Sequence, residues 1–354
     1  MPARIIHLLG GADASSVAPF RIVDALARHI DPRRYEIALW FLYWGGPLVR
    51  EAEARGCRTQ VFDWAHGSKQ PLEALRFWRA VRSESPAIIH QHFGGRSARI
   101  LARQASGAPV VLHVHSRIDE GRNNRPIRHS LTGVDTVIAV SRAVAAQVGA
   151  TVAEVIYPGV EVDEARHARA HRELVIGSAG RLIGLKGYSC LIRAMRPVMA
   201  KVPDLRLEIA GDGPERAPLE RQAADLGLVD RIRFLGWKPD IRSAMRDWDL
   251  YVQPSFEEGF GLALLEAMAA GLPAVATAVG GHTELVEQGS TGWLVPPGDP
   301  HALARCLLDV VGNCECLSEI GGRARVRALR HFSADRMAAQ ISAVYDRLLQ
   351  GSAR

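Results

Sequence analysis

The sequence predicts an α/β protein of two doubly wound domains that face each other across a cleft. Three observations carry this reading. Short apolar or β-branched runs alternate with amphipathic stretches along nearly the whole chain, the pattern of repeated βαβ units. The runs of the second half are short and mostly apolar, as strands buried on both faces of a parallel sheet should be. The alternation stops once, at Gly159–Leu174, a polar and charged stretch without strand periodicity. At 354 residues the chain is too long for one ordinary core and suits two domains of roughly 150 to 200 residues. The expected domains are residues 1–163 and 172–334, with a helix at about 335–350 packing back on the first.

Taken in order, Arg4–Leu9 (RIIHLL) is the first strand and leads to a helical stretch near Phe20–Ile30. Tyr35–Phe41 (YEIALWF) leads to a helix near Pro47–Arg55. RTQVF, AIIHQHF, VVLHVH and TVIAVS follow, each with its loop or helix. After the break come LVIGSAG, LRLEIAG, IRFLG, LYVQPS, PAVAT and GWLVPP. The last segment places Met337, Ile341, Val344 and Leu348 at helical spacing, with Ser333 as N-cap. Ligands of doubly wound domains bind at the carboxyl ends of the strands, which puts the expected site in the cleft.

Hydrophobic residues make up 47% of the chain and charged residues 23%, the balance of a soluble globular protein. No apolar run approaches the ~18 residues of a membrane span. The N-terminal apolar run is too short for a convincing signal peptide and reads as a strand, so the expected compartment is the cytoplasm. Five scattered cysteines fit a reducing compartment. Cys314 and Cys316 form C-x-C with no second pair nearby and read as a loop. Charge is uneven: residues 1–160 carry 20 Lys+Arg against 13 Asp+Glu, and residues 161–354 carry 24 against 25. Such a basic half suits an anionic acceptor or a membrane surface; solvated helix faces give the same composition.

Two stretches carry chemistry. GSAGRLIGLKGY (Gly177–Tyr188) ends a strand and holds Arg181 and Lys186 among glycines, which let backbone amides approach an anion that the cations neutralise. It does not fit the P-loop pattern. In EEGFGLALLEAMAAGLP (Glu257–Pro273), Gly259-Phe260-Gly261 turns into a helix that Gly271 and Pro273 stop. Glu258 lies ahead of the helix and Glu266 about one turn inside it. The helix start offers unpaired N–H groups and a positive dipole end, which suits a phosphate. Flanking carboxylates can accept hydrogen bonds from hydroxyls, so the spacing suits a nucleotide-sugar. The plain alternative is a helix-start charge and a half-exposed helix glutamate. Asp247-Trp248-Asp249 spells D-x-D but stands just before a buried strand and reads as a helix-to-strand junction. GDGPER is a fragment of G-x-G-x-x-G and does not argue for a dinucleotide.

PSFEEGFGLALLEAMAAGLPAVAT resembles the E-x7-E signature of family 4 retaining glycosyltransferases, which have the GT-B fold of two Rossmann-like domains. GRLIGLKG resembles that family's diphosphate-binding loop. LRLEIAGDGPER, IRFLGWKPD, VGGHTELVEQGSTGWLVPPGDP and VIAVSRAVAAQV are similar in the same order, so the resemblance spans nearly the whole chain. It implies that Arg181 and Lys186 hold the donor diphosphate, Glu258 the sugar hydroxyls and Glu266 the ribose. Backbone amides of Gly259, Phe260, Gly261 and Leu262 would contact sugar and phosphate. Gly10 and Gly11 end the first strand as the family's glycine loop does, and would admit the donor phosphate or the acceptor. VVLHVHS resembles the family's strand ending in a histidine, which maps to His115, near the transferred sugar. His113 is expected on the opposite face. His90 and His92 share one face, and these histidines are read as packed residues, with no metal site. Tyr157-Pro158 departs from the family's usual Pro-Asn at the linker.

The resemblance thus implies retaining transfer of a hexose from a nucleoside diphosphate sugar, with His115, Glu258, Arg181 and Lys186 as the catalytic set. No cofactor or metal is expected. The donor would be a UDP-sugar, with GDP-mannose next, and the acceptor a lipid-linked or polysaccharide precursor. Alternatives are a small soluble acceptor, a GT-B nucleotide-sugar epimerase, a two-carboxylate glycoside hydrolase, or a non-enzymatic scaffold. No nucleic-acid partner is expected. Arg96, Arg99 and Arg103 at helical spacing, Arg76, Arg79 and Arg82 around Phe77 and Trp78, and Arg117, Arg122, Arg125 and Arg128 suggest docking of the first half on an anionic membrane, at the inner face of the cell membrane.

Overall fold

The computed structural model describes residues 1–13, 17–64, 71–92, 95–116, 118–119, 125–126, 131–148, 153–161 and 173–352. The chain divides into two compact units, one of Met1–Gly159 with Ala334–Arg354 and one of Val160–Ser333.

The first unit holds β1 (Ala3–Leu9), α1 (Val17–His29), β2 (Tyr35–Phe41), α2 (Pro47–Ala54), β3 (Arg58–Val61), α3 (Pro71–Glu84), β4 (Ile88–Gln91), α4 (Gly95–Ser106) and β5 (Val110–Val114). A small antiparallel pair, β6 (Ile118–Asp119) and β7 (Arg125–Pro126), precedes β8 (Thr136–Ala139), α5 (Arg142–Val148) and β9 (Ala153–Val155). Seven of these strands form one sheet in the order β3-β2-β1-β4-β5-β8-β9, with every pairing parallel. β9 gives no sequence signal because it is three residues long and includes Glu154. The register sets His7 against His90 and Ile6 against Ile89. Successive side chains of a strand point to opposite faces. Ile6, Leu8, Trp40, Ile89 and Val110 therefore share one core with Phe77 and Val81 of α3 and Ala98 and Ala102 of α4. His7, His90 and His113 belong to the other face and are buried.

The second unit holds β10 (Val175–Ala179), α6 (Tyr188–Lys201), β11 (Arg206–Ala210), α7 (Arg216–Asp225), β12 (Ile232–Gly236), α8 (Ile241–Met245), β13 (Leu250–Gln253), α9 (Leu262–Ala269), β14 (Ala274–Thr277), α10 (His282–Leu285), β15 (Gly292–Val295), α11 (Pro300–Gly312) and α12 (Leu317–His331). Its parallel sheet runs β12-β11-β10-β13-β14-β15. The strand reversal at β10/β13 is the switch point where such sheets bind ligands. Two of the three D-x-D residues serve the fold. Trp248 is fully buried and donates to Glu208 at 3.0 Å, and Asp249 accepts the Val175 amide at 2.8 Å.

α13 (Ala334–Ser352) belongs to the first unit. Tyr35 donates to Asp346 at 2.5 Å, His29 meets Asp335 at 2.7 Å, and Arg34 pairs with Asp346. Tyr345 is buried and its hydroxyl meets His90 Nδ1 at 2.6 Å. Ser333 is bridged to Val160, and the Val160 amide donates to Phe332 at 2.9 Å. Of the expected linker, residues 162–172 lie outside the described residues.

The basic half is less free than its composition suggests. Arg99 is buried, donating to Thr132 and Gln91, and Arg103 pairs with Asp135. These two hold α4 to its own unit rather than offering charge to a partner. Phe77 is fully buried in the core, so it is not a membrane anchor. The outward side of α3 carries exposed Leu72 and Leu75 with Arg76, Arg79 and Arg82. Arg117, Arg122 and Arg128 lie outside the described residues, as does the side chain of Arg125.

Burial pushes the pKa of His7 down to about 3, and desolvation with neighbouring imidazoles holds His90, His92 and His113 well below the ordinary value. The unfolded chain protonates these groups below about pH 6.5; the folded chain does so only at much lower pH. Unfolding therefore takes up protons in that window, and stability falls as pH drops from 6.5 toward 3. Each such histidine contributes about 1.4 kcal/mol of loss per pH unit. Urea unfolding at pH 7.5, 6 and 5 is expected to show a steepening decline, and an unchanged midpoint would contradict the buried neutral state.

Candidate donor site

The site is built where β10 and β13 end in the second unit. β10 closes at Ala179, and Arg181 stands exposed just beyond it. A single 3₁₀ turn, Gly184–Lys186, carries Lys186 before α6 begins at Tyr188. β13 closes at Gln253 and runs through Pro254 and Ser255 to Glu258, ahead of α9. The two loops are tied together: the Phe256 amide donates to the Leu185 carbonyl at 2.8 Å. This tie brings Lys186 Nζ within 2.7 Å of Glu258 Oε2, with side chains 19% and 15% exposed.

Glu258 also accepts from Ser255 Oγ at 3.3 Å. Behind Ser255 lies a buried polar ladder. Gln253 Nε2 donates to Ser255 Oγ at 3.1 Å, Tyr251 donates to Gln253 Oε1 at 2.5 Å, and Thr277 Oγ1 donates to the Ser255 carbonyl at 2.6 Å. Burial alone would raise the Glu258 pKa. The charge of Lys186 and the hydrogen bonds from Lys186 and Ser255 outweigh burial and hold it below the usual carboxylate value. Glu258 is thus an ionised acceptor with one oxygen already engaged.

Gly259, Phe260 and Gly261 are buried, and α9 begins at Leu262 with no side-chain cap on its N-terminus. Glu266 is half-buried on that helix, about one turn inside. Gly10 and Gly11 end β1 in the first unit and are buried. A Cβ on Gly11 would fall 2.2 Å from Trp44 Nε1, so its smallness is already required by the indole. His115 follows β5 and is half-buried. His113 does not lie on the opposite face. Residues two apart on a strand share a face, and the two rings lie 4.4 Å apart, centroid to centroid, at 24°.

One residue that sequence reasoning passed over is His282. It is fully buried, its Nε2 stands 4.0 Å from Glu258 Oε2, and its Nδ1 meets the Thr277 carbonyl at 3.0 Å. A carbonyl only accepts, so the proton sits on Nδ1. Burial lowers the pKa against the pull of Glu258, and the neutral ring turns a bare, unpartnered Nε2 toward the carboxylate. The available signal was the Gly280-Gly281-His282 run after β14. Gly280 has φ +44°, and a Cβ there would fall 1.7 Å from the Glu258 carbonyl oxygen.

Gly280→Ala is therefore expected to disrupt the Glu258 loop. Backbone strain of about 1–3 kcal/mol adds to the clash. Chemical denaturation is the check, and an unchanged midpoint would show that the two loops are not packed as described.

Residues 160–327 match the family model described as "Glycosyl transferases group 1", and residues 20–164 match the one described as "Glycosyltransferase Family 4". The chain is similar to a D-inositol 3-phosphate glycosyltransferase of Streptomyces avermitilis, 29% identical over 377 residues that cover 93% of this chain and 75% of that protein. It is similar to a protein of the same description from Corynebacterium glutamicum, 36% identical over 213 residues, 54% of this chain and 51% of that one. Among solved structures it is similar to Anabaena HepE in complex with UDP and glucose, with a TM-score of 0.81 at 23% identity over 97% of this chain and 99% of that one. At that identity the likeness carries the fold alone. The two family models together span both units, and the chain belongs to the family 4 glycosyltransferases of the GT-B fold.

Proposed function

We propose that the chain transfers a hexose from a nucleoside diphosphate sugar, with retention at the anomeric carbon, to a phosphorylated or lipid-linked glycan precursor. The convergence of Lys186 and Glu258 at the end of the second sheet supports this most directly. A cation from a glycine-rich loop and an ionised carboxylate stand in the two linked loops, and the carboxylate precedes an uncapped helix start. A diphosphate needs the cation and the helix N–H groups, and sugar hydroxyls need the carboxylate.

In this reading Arg181, Lys186 and the start of α9 stabilise the charge that grows on the leaving diphosphate. Glu258 accepts from sugar hydroxyls, and the bare Nε2 of His282 offers a second acceptor beside it. Glu266 takes the ribose, and the amides of Gly259 through Leu262 line sugar and phosphate. His115, with Gly10 and Gly11, serves the transferred sugar or the acceptor. Glu258 is held by Lys186 and Ser255, which suits an orienting role better than a covalent nucleophile. The leaving phosphate is then the group that helps deprotonate the acceptor on the same face. Asp249 of the D-x-D is engaged by the Val175 amide, which favours transfer without a metal. A UDP-sugar is the preferred donor: HepE was solved with UDP and glucose. The acceptor class follows relatives described as acting on inositol 3-phosphate and phosphatidyl-myo-inositol; a small soluble acceptor is the second reading.

Glu266→Ala and Lys186→Ala are each expected to weaken UDP-sugar binding about 10- to 100-fold, the worth of one charge-assisted hydrogen bond, without unfolding the protein. Calorimetry with UDP-glucose checks this; unchanged affinity in both variants would remove the site assignment. Turnover should persist in excess EDTA, and loss restored by Mn²⁺ would overturn metal independence.

Among the described residues no helix is long and apolar enough to cross a membrane. The outer side of α3 gives the docking idea a revised footing: Leu72 and Leu75 beside Arg76, Arg79 and Arg82. Each basic residue near an anionic surface is worth about 1 kcal/mol. Sedimentation with anionic liposomes at low salt is expected to pull down the wild type and to lose Leu72→Glu/Leu75→Glu. Equal behaviour with neutral vesicles would favour a soluble acceptor.

A further inference from the structure

The polar face of the first sheet holds five imidazoles, and their contacts form one line. His113 Nδ1 meets His90 Nε2 at 3.2 Å, and His90 Nδ1 meets the Tyr345 hydroxyl at 2.6 Å. That hydroxyl meets His7 Nε2 at 3.3 Å, His7 Nδ1 meets His92 Nε2 at 3.0 Å, and His92 Nδ1 meets His115 Nε2 at 2.7 Å. The parallel register makes this line: His7 lies opposite His90, and His90 opposite Val111, so each ring reaches diagonally to the next strand. The three imidazole-to-imidazole links join rings with centroids 5.0–5.3 Å apart and planes 25–28° apart, the arrangement of edge-to-edge contact.

Two triples, His7/His90/His92 and His92/His113/His115, bring their nitrogens within 4.8 Å, the reach of a metal site. The lengths favour hydrogen bonds between the rings. Two nitrogens on a tetrahedral zinc stand about 3.3 Å apart, whereas links of 2.7 and 3.0 Å are those of hydrogen bonds.

A neutral imidazole has one N–H and one lone pair. A hydroxyl that bridges two nitrogens donates to one and accepts from the other. In an unbranched line of such groups every link must point the same way, so all five rings share one tautomer. The inner end decides which. His113 Nε2 is buried without a partner. Buried N–H groups are almost never left orphaned, whereas under-satisfied acceptors are better tolerated.

We propose that this dead end fixes all five histidines as Nδ1–H tautomers, so that His115 meets its ligand as a neutral hydrogen-bond donor through Nδ1, positioned by the hydrogen bond from His92. His115 is the one half-buried member of the line, and it is the outlet of a direction set at His113, two residues back, and carried through His90, Tyr345, His7 and His92. In this role His115 cannot take a proton from the acceptor, because Nδ1 already carries one and Nε2 is occupied. The inference rests on the reading of His115 as a sugar- or acceptor-facing residue. The titratable groups facing His92 and His115 are His7 on β1, His90 on β4 and His113 on β5, with Tyr345 of α13 between His90 and His7. Burial lowers the pKa of His115 and of His92, consistent with a line that stays neutral at physiological pH.

The test begins with nitrogen NMR of histidine-labelled protein, which reads tautomers without any assay of transfer. Five Nδ1-protonated, neutral rings are expected from pH 5 to 8. Mixed tautomers, uniform Nε2 protonation, a ring of the five titrating in that range, or stoichiometric copurifying zinc would overturn the proposal. His92→Leu should free His115 to exchange between tautomers, while His92→Gln, which keeps a donor, should restore the wild-type signal. In transfer assays His92→Leu should lower kcat about tenfold, the worth of one hydrogen bond, with KM little changed. His92→Gln should recover most of it. If the NMR result holds but His92→Leu transfers normally, His115 does not face the reaction, and only its placement in the proposed function is lost.

Discussion

A parallel sheet covered on both faces has no water beneath its polar residues, and this constraint shapes both units. A buried hydrogen-bonding group there must find a partner within the sheet or in the layer that covers it, at a cost of about 1–3 kcal/mol for each one left unpaired. Both units answer by running a line of polar side chains up toward the strand ends. In the second, Tyr251, Gln253, Ser255 and Glu258 pass one hydrogen bond to the next. In the first, the histidines do so with Tyr345. The polar interior is therefore continuous with the functional end of each sheet, and the orientation of a site residue is decided several residues below it.

The carboxylate quoted at the centre of the candidate site shows how charge survives this burial. Glu258 sits where solvent would ordinarily be needed, and Lys186 supplies the compensation at 2.7 Å. The loop carrying each residue is held to the other by a backbone hydrogen bond, so the pair is set by main chain and not by two flexible side chains finding each other. Pairs of this kind are preorganised, as the proposed stabilisation of a leaving diphosphate would demand.

Much of this was legible in the sequence, and for physical reasons. Continuous apolar runs such as TVIA and AVAT mark strands buried on both faces, and they fell where the strands are. Gly259–Leu262 and Lys186 were readable because a strand-to-helix turn with glycines has few alternatives. What stayed hidden depends on partners far apart in the chain. The burial of Arg99 requires Gln91 and Thr132, neither of which the i, i+3, i+7 spacing reports. Tyr345 looked like one more residue of an amphipathic helix, and its bridging role exists only because α13 packs on residues more than 250 positions earlier. His282 was missed because its meaning comes from the bend at Gly280, not from its neighbours. His113 was misplaced by a slip in strand periodicity, not by any subtlety of the fold.

The return of α13 to the first unit has a consequence for how the molecule is made. The second unit is one unbroken segment of chain, Val160–Ser333, whereas the first is completed only by Ala334–Arg354. N-terminal domains usually fold first during synthesis, but here the N-terminal unit cannot be completed until the last helix has been made. The second unit can close while the first sheet waits, with His7 and His90 still short of the hydroxyl that joins them. Until Tyr345 leaves the ribosome, the histidine face of that sheet lacks one of its covering helices, in the half of the protein that was translated earliest.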